Sequence, residues 1–74
     1  MQLNSKEIYD LVREQMSRNE ELFIERFARD FIFEKDNQSM ITLYAVNQYN
    51  PKLARKIFRK CMEKLASMKE RKDV

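Results

Sequence analysis

The chain has no glycine and no histidine among its 74 residues, and each absence excludes a group of functions. Without glycine it has no P-loop, no G-x-G-x-x-G dinucleotide fingerprint and no EF-hand loop, since each of these needs glycine at a tight backbone position. Without histidine it cannot perform Ser-His-Asp or Cys-His catalysis. The tight turns of β-hairpins also favour glycine, so the composition disfavours a β-rich fold.

Cysteine and long apolar runs are scarce as well. Cys61 is the one cysteine, so the chain cannot form an internal disulfide, and without histidine it has too few ligands for a zinc site. Nothing else supplies a nucleophile or an oxyanion hole, and we therefore expect no metal, no cofactor and no enzymatic activity. No apolar run reaches the ~18 residues of a transmembrane helix, and the polar first residues lack the apolar centre of a secretory signal. We therefore expect a cytoplasmic protein that stays out of the membrane.

Helical periodicity is what the chain has in abundance. Apolar side chains recur three and four residues apart, and an asparagine or aspartate precedes each apolar stretch at the position of a helix cap. The sequence predicts an all-α protein, a small bundle of three to four helices in one domain over residues 1–74, with a frayed basic tail at 70–74. The predicted helices cover residues 4–17, 20–34, 39–48 and 51–69.

The boundaries of these helices depend on capping signals. Asn4 and Glu7 have the spacing of a capping box, and Asn50 followed by Pro51 is the strongest helix start in the chain. Asn19 is the next cap candidate, and the two acidic residues that follow it suit a helix N-terminus, but the position of the break between the first two helices is open. The first two helices can therefore also be one long helix with a kink.

Residues 40–46 allow two interpretations. Their β-branched and aromatic side chains suit a strand, in which case residues 31–33 would pair with residues 41–43 as a hairpin. A helix is the preferred interpretation, because the intervening loop lacks hairpin turn chemistry and the neighbouring segments are helical.

Charge is unevenly divided along the chain. Residues 1–50 carry six basic and nine acidic side chains, a net charge of −3, whereas residues 51–74 carry nine basic and three acidic side chains, a net charge of +6. Helical spacing places five of the basic residues along the polar side of the last predicted helix. We call this set the basic ridge: Lys52, Arg55, Lys56, Arg59 and Lys60.

The basic ridge has four interpretations. It can be a solvated face favoured near a helix C-terminus, a set of partners for acidic residues of the first two helices, a contact for nucleic-acid phosphates, or a contact for an acidic protein surface. Residues 39–60 also have the outline of a DNA-binding helix-turn-helix. The usual turn glycine of that motif is absent, however, and Arg55 falls where its second helix needs an apolar contact.

Aromatic residues supply a second candidate surface. Phe23, Phe27 and Phe31 recur every four residues, and this phenylalanine row is either the centre of the core or the seam of a dimer. Leu22 and Phe33 lie on nearly the opposite side of that helix, which suits contact with a partner. Because a core of this size gives only ~3–5 kcal/mol of net stability, we expect self-association as a homo-oligomer. The candidate protein-interface residues are Leu22, Phe23, Phe27, Phe31, Phe33 and Tyr44.

The sequence therefore predicts a small non-enzymatic regulator or adaptor that acts by binding another protein. The alternative is a small DNA-binding protein of the transcriptional-regulator type, which lays the basic helix 51–69 on nucleic-acid phosphates. A third hypothesis is a structural subunit of a larger assembly. All three hypotheses place the function on helix faces, and none of them names the partner.

Overall fold

Three helices account for nearly all of the structure. The computed structural model describes residues 3–33 and 37–72, with the side chains of residues 3–32 and 37–68. Within these ranges the chain forms no strand. The helices are α1 (Ser5–Phe33), α2 (Gln38–Tyr49) and α3 (Pro51–Lys72). Each helix packs against the other two in a body of 41 × 25 × 19 Å, which confirms the predicted all-α bundle.

The structure decides between the alternatives that the helical pattern left open. Residues 40–46 are helical within α2, so the hairpin alternative is wrong. The first two predicted helices are joined into α1, which is the kinked-helix alternative. α3 continues to Lys72, beyond the predicted end at residue 69, and residues 73 and 74 of the predicted tail lie outside the described residues.

α1 changes direction at Asn19. The backbone of this residue is extended (φ −159°, ψ 91°), and the chain is helical on both sides of it. The side-chain Oδ1 of Asn19 accepts a hydrogen bond from the backbone N–H of Leu22 at 3.1 Å, as the cap of a helix N-terminus does. Asn19 therefore ends the first half of α1 and caps the second half, which begins at Glu20.

Asparagine also begins α1 and α3. Asn4 Oδ1 accepts a hydrogen bond from the N–H of Glu7 at 2.9 Å, and Glu7 Oε1 accepts one from the N–H of Asn4 at 3.1 Å, which is the predicted capping box. Asn50 Oδ1 accepts from the N–H of Leu53 at 3.1 Å, while the N–H of Asn50 donates to the carbonyl of Val46 at 2.8 Å. This single residue ends α2 and begins α3, so the two helices follow each other without a loop.

The start of α2 is made by the backbone of Asn37. This residue lies in the left-handed region (φ 59°, ψ 31°), and its side chain makes no capping hydrogen bond. Its carbonyl accepts a hydrogen bond from the N–H of Ile41 at 3.0 Å. Left-handed backbone is easiest for glycine, and asparagine is among the few other residues that tolerate it. In a chain without glycine, Asn37 therefore supplies the left-handed backbone conformation at the start of α2.

All three helices contribute to the hydrophobic core. Phe27 is buried in it, while Phe23 and Phe31 are only partly buried and pack against it, so the centre of the phenylalanine row belongs to the core of the monomer. Burial raises the pKa of the Cys61 thiol, which keeps this group in its less reactive protonated form. The core residues are Tyr9, Val12, Ile24, Phe27, Ala28, Val46, Ala54, Ile57 and Cys61.

An aromatic stack joins the start of α1 to the end of α2. The rings of Tyr9 and Tyr49 have centroids 5.4 Å apart and planes inclined by 22°. Lys6 Nζ lies 5.6 Å from the centroid of Tyr9 and 5.7 Å from that of Tyr49, within range of a cation–π interaction with both rings. The stack holds the last turn of α2, and with it Asn50, against α1.

The cap at Asn50 gives a test of this arrangement. We expect Asn50→Ala to lower the free energy of unfolding by about 1 kcal/mol, because the N–H of Leu53 loses its acceptor. Asn47→Ala is the matched control, since Asn47 is exposed within α2, where alanine is the better helix former. Urea unfolding followed by circular dichroism measures both variants, and equal losses of stability would contradict the capping role.

Candidate binding surface

The structure divides the basic ridge into two parts. Lys56 and Lys60 are partly buried and turn toward α1, where they share the carboxylate of Glu20. Lys56 Nζ lies 2.9 Å from Glu20 Oε1, and Lys60 Nζ lies 2.5 Å from Glu20 Oε2. Two of the five ridge residues thus pair within the chain, as the second of the four interpretations expected.

Glu20 holds this arrangement because it follows directly after the kink. Its side chain is 32% exposed, and each of its two oxygens takes one lysine. The hydrogen bonds from Lys60 and Lys56, in that order, lower the pKa of the Glu20 carboxyl below its ordinary value. Since the two lysines are one helical turn apart on α3, one carboxylate can bind both. The ion pairs join the second half of α1 to the middle of α3.

The other ridge residues, Lys52, Arg55 and Arg59, are exposed. Among the described residues none of the three forms an ion pair. Together with Lys56 they line a shallow depression of about 480 Å³ on the outer side of α3. They lie three and four residues apart, so their charged groups follow one another along two turns of the helix. We call Lys52, Arg55 and Arg59 the cationic row.

An apolar groove runs beside the cationic row, between α2 and α3. Its volume is about 220 Å³, and two aromatic side chains on it remain open to solvent: Tyr44 is 67% exposed and Phe58 is 43% exposed. Arg55 lines both this groove and the depression of the cationic row. We call the groove and the row together the α2–α3 face. The groove is lined by Met40, Leu43, Tyr44, Asn47, Ala54, Arg55 and Phe58.

A larger groove lies between α1 and α2, and its chemistry is different. Its volume is about 490 Å³, and Leu3, Leu11 and Ile41, each nearly half exposed, line it. No charged side chain lines it among the described residues. We call it the α1–α2 groove. It offers apolar contact without a charge that would select or orient a partner.

The six predicted interface residues do not form one surface. Phe27 lies in the core, Phe23 lines the α1–α2 groove, and Tyr44 lies on the α2–α3 face. Leu22 is 42% exposed on α1 and lines neither groove. The side chain of Phe33 lies outside the described residues. Self-association stays a prediction. The buried Phe27 is not available to form a contact between two folded monomers.

Phe58 is the main member of the candidate surface that the sequence prediction did not single out. It stands at the edge of the apolar stripe of α3, three residues after Arg55 and next to Arg59. Its exposure could have been predicted from its place between two arginines, because a position at the edge of an apolar stripe is only partly covered by a neighbouring helix. The same periodicity assigns it equally well to the core.

The described residues give no sign of a metal site or a membrane span. They contain no group of three or more His, Cys, Asp or Glu side chains that could hold a metal ion. Each of their helical segments is too short or too polar to cross a bilayer. Comparison of the chain with protein families, with curated proteins and with solved structures finds no match. The α2–α3 face itself is therefore the basis for inferring a function.

The ion pairs of Glu20 predict a pH-dependent stability. Because folding lowers the pKa of Glu20, its contribution is complete above the ordinary pKa and is lost as the pH falls through the lowered pKa of the folded state. We expect Glu20→Gln to be less stable than wild type at neutral pH and this difference to shrink in acid. Thermal unfolding over a range of pH measures it.

Glu21→Gln is the control for this test. Glu21 is the exposed neighbour of Glu20 and forms no ion pair with a described residue. Its variant should follow the pH dependence of the wild type. If Glu20→Gln and Glu21→Gln gave the same profile, the ion pairs with Lys56 and Lys60 would contribute nothing to stability.

Proposed function

We propose that the chain is a small non-enzymatic protein-binding module, a regulator or adaptor that recognises another protein through the α2–α3 face. One observation supports this proposal most strongly: Arg55 borders both an apolar groove with exposed aromatic rings and a row of exposed cations. Tyrosine, phenylalanine and arginine are enriched at protein–protein interfaces, and tyrosine and arginine often carry much of the binding energy.

The side chains of this face favour binding over catalysis. The guanidinium groups of Arg55 and Arg59 keep their charge and only donate hydrogen bonds, so they can hold a carboxylate but cannot remove a proton. Cysteine thiols serve as nucleophiles in many enzymes, but the thiol of Cys61 is buried in the core. What the face offers a ligand is therefore apolar area and hydrogen-bond donors.

Tyr44 provides the direct test of this proposal. We expect Tyr44→Asp to weaken binding of the partner about 30-fold or more, because it places a charge in the apolar groove at a side chain of the type that dominates interfaces. Affinity capture from an extract of the source organism, with quantitative mass spectrometry, identifies the partner, and titration of that partner measures the loss.

Leu22→Asp is the matched control for Tyr44→Asp. It also places aspartate at an exposed apolar position on a helix, but away from the α2–α3 face. The captured protein should bind Leu22→Asp as it binds the wild type, and circular dichroism should show that both variants fold. A partner that binds Tyr44→Asp equally well, or no captured protein at all, would count against the proposal.

A second candidate function is nucleic-acid binding by the cationic row. The observation in its favour is that Lys52, Arg55 and Arg59 are exposed on successive turns and have no ion-pair partner among the described residues. Each phosphate contact contributes about −0.9 to the slope of log affinity against log salt, so three contacts give a slope of about −2.7. The electrostatic contribution to nucleic-acid binding is therefore modest, because the other two cations of the basic ridge, Lys56 and Lys60, form ion pairs with α1.

Fluorescence anisotropy with labelled duplex DNA at low salt tests the second candidate. Binding with the slope just given, abolished by Arg55→Glu with Arg59→Glu, would support it. Arg18→Glu with Arg26→Glu makes the same change in net charge on α1 and should have a much smaller effect. It also breaks the exposed ion pair of Arg18 with Glu14, which contributes little to stability. If the wild type does not bind the duplex at low salt, this candidate is excluded.

A further inference from the structure

We infer that the partner segment of the α2–α3 face is an acidic amphipathic helix. Its apolar side chains occupy the groove between Tyr44 and Phe58, and its carboxylates pair with the cationic row along α3. This inference rests on the proposed function, because it assigns the chemistry of the partner to the same face.

The order of side chains around α3 sets the charge pattern of the partner. Residues three and four apart are neighbours on a helix, so Arg55 stands between Phe58 on the groove side and Arg59 on the outer side. Lys52 continues the row one turn earlier. Because the rise is 1.5 Å per residue, the row from Lys52 to Arg59 extends over about 10 Å. A helix lying along α3 matches this row with carboxylates that recur every three or four residues.

Glu20 provides an internal example of the same recognition. One carboxylate there binds two cations of α3 that are four residues apart, Lys56 and Lys60. Arg55 and Arg59 are also four residues apart on α3, and neither forms an ion pair with a described carboxylate. Arginine is better suited than lysine to a carboxylate, because its guanidinium can donate two parallel hydrogen bonds. The i,i+4 pair of cations that binds Glu20 within the chain thus has a counterpart, Arg55 and Arg59, on the solvent-exposed side of α3.

The groove distinguishes a helix from the other ligands that carry negative charge. A nucleic-acid duplex, whose bases are stacked inside, would contact the cationic row but leave the exposed rings of Tyr44 and Phe58 without an apolar partner. A peptide that binds by strand addition would need a strand edge, and the described residues contain no strand. A proline-rich peptide could lie in an aromatic-lined groove, but it would leave the cationic row without a partner. An amphipathic helix laid in a groove between two helices satisfies both the apolar and the charged parts of the face.

Selection from a library of displayed random linear peptides, with the intact chain as bait, tests the inference. The selected peptides should combine apolar residues at helical spacing with Asp or Glu every three or four residues, and should become helical on binding. Arg55→Glu with Arg59→Glu should weaken them about tenfold or more, and added salt should weaken them too. Arg18→Glu with Arg26→Glu, the matched control on α1, should leave the affinity within about twofold of wild type.

A charge exchange keeps the test independent of any loss of stability. Replacing the Asp and Glu of a selected peptide by Lys should abolish binding to the wild type and restore binding to Arg55→Glu with Arg59→Glu. An unfolded variant could not regain affinity in this way. Failure of the exchanged pair to bind would overturn the assignment of the carboxylates to the cationic row.

The outcomes separate this inference from the proposed function. If selected peptides lose binding on Tyr44→Asp but are neutral or basic, the acidic helix is wrong and the protein-binding face stands. If no peptide is selected, the acidic helix is wrong, and the proposed function is decided by the capture experiment with Tyr44→Asp. If Tyr44→Asp affects neither the selected peptides nor the captured protein, both proposals fail. If duplex DNA binds more tightly than the peptides and displaces them, the row serves nucleic acid and the inference is overturned.

Discussion

A chain without glycine has to change direction with residues that carry a side chain, and in this protein asparagine makes each described change of direction. Asn19 bends α1 through an extended backbone, Asn37 enters α2 through a left-handed one, and Asn50 joins α2 to α3 as a single residue. At Asn19 and Asn50 the side chain also accepts a hydrogen bond from the helix that follows. The bends at Asn19 and Asn50 are therefore short, and they bring the faces of the helices that they join close to one another.

The kink at Asn19 has a further consequence for charge. It places Glu20 at the start of the second half of α1, where its carboxylate meets Lys56 and Lys60 of α3. Ion pairs of this exposure contribute modestly to stability. Their larger effect is on the charge of the surface. They neutralise two of the five cations of the basic ridge, so that among the described residues of the ridge only the cationic row stays unpaired beside the groove of the α2–α3 face. The position of the bend at Asn19 thus determines which of the described cations of α3 are paired within the chain and which stay unpaired.

The helices and their caps could be predicted because their signals are local. The capping box at Asn4, the Asn50–Pro51 start and the apolar spacing of α3 each involve residues within a turn or two of each other. The pairing of Glu20 with Lys60 joins residues forty positions apart, so it depends on how the helices pack. The exposure of Phe58 likewise depends on helix packing, since the position of the neighbouring helix determines which edge of an apolar stripe is covered.

The phenylalanine row illustrates the remaining limit. Its spacing indicates one face of a helix equally well whether that face meets another helix of the same chain or a second copy. Only the packing of α2 and α3 against it assigns Phe27 to the core. For the same reason apolar periodicity could not locate the grooves, which are formed by residues from two helices and are lined by side chains at the edges of their stripes.

Specificity is the argument for placing the function on the α2–α3 face rather than in the larger α1–α2 groove. Apolar contact is not directional, so a groove lined without charges accepts many partners in many orientations. A ligand of the proposed α2–α3 face would have to fill the space between Tyr44 and Phe58 and neutralise Arg55 beside it. By occupying Lys56 and Lys60, Glu20 also lowers the general attraction of α3 for polyanions. A face that requires an apolar and an anionic contact at a fixed separation discriminates against ligands that supply only one of them.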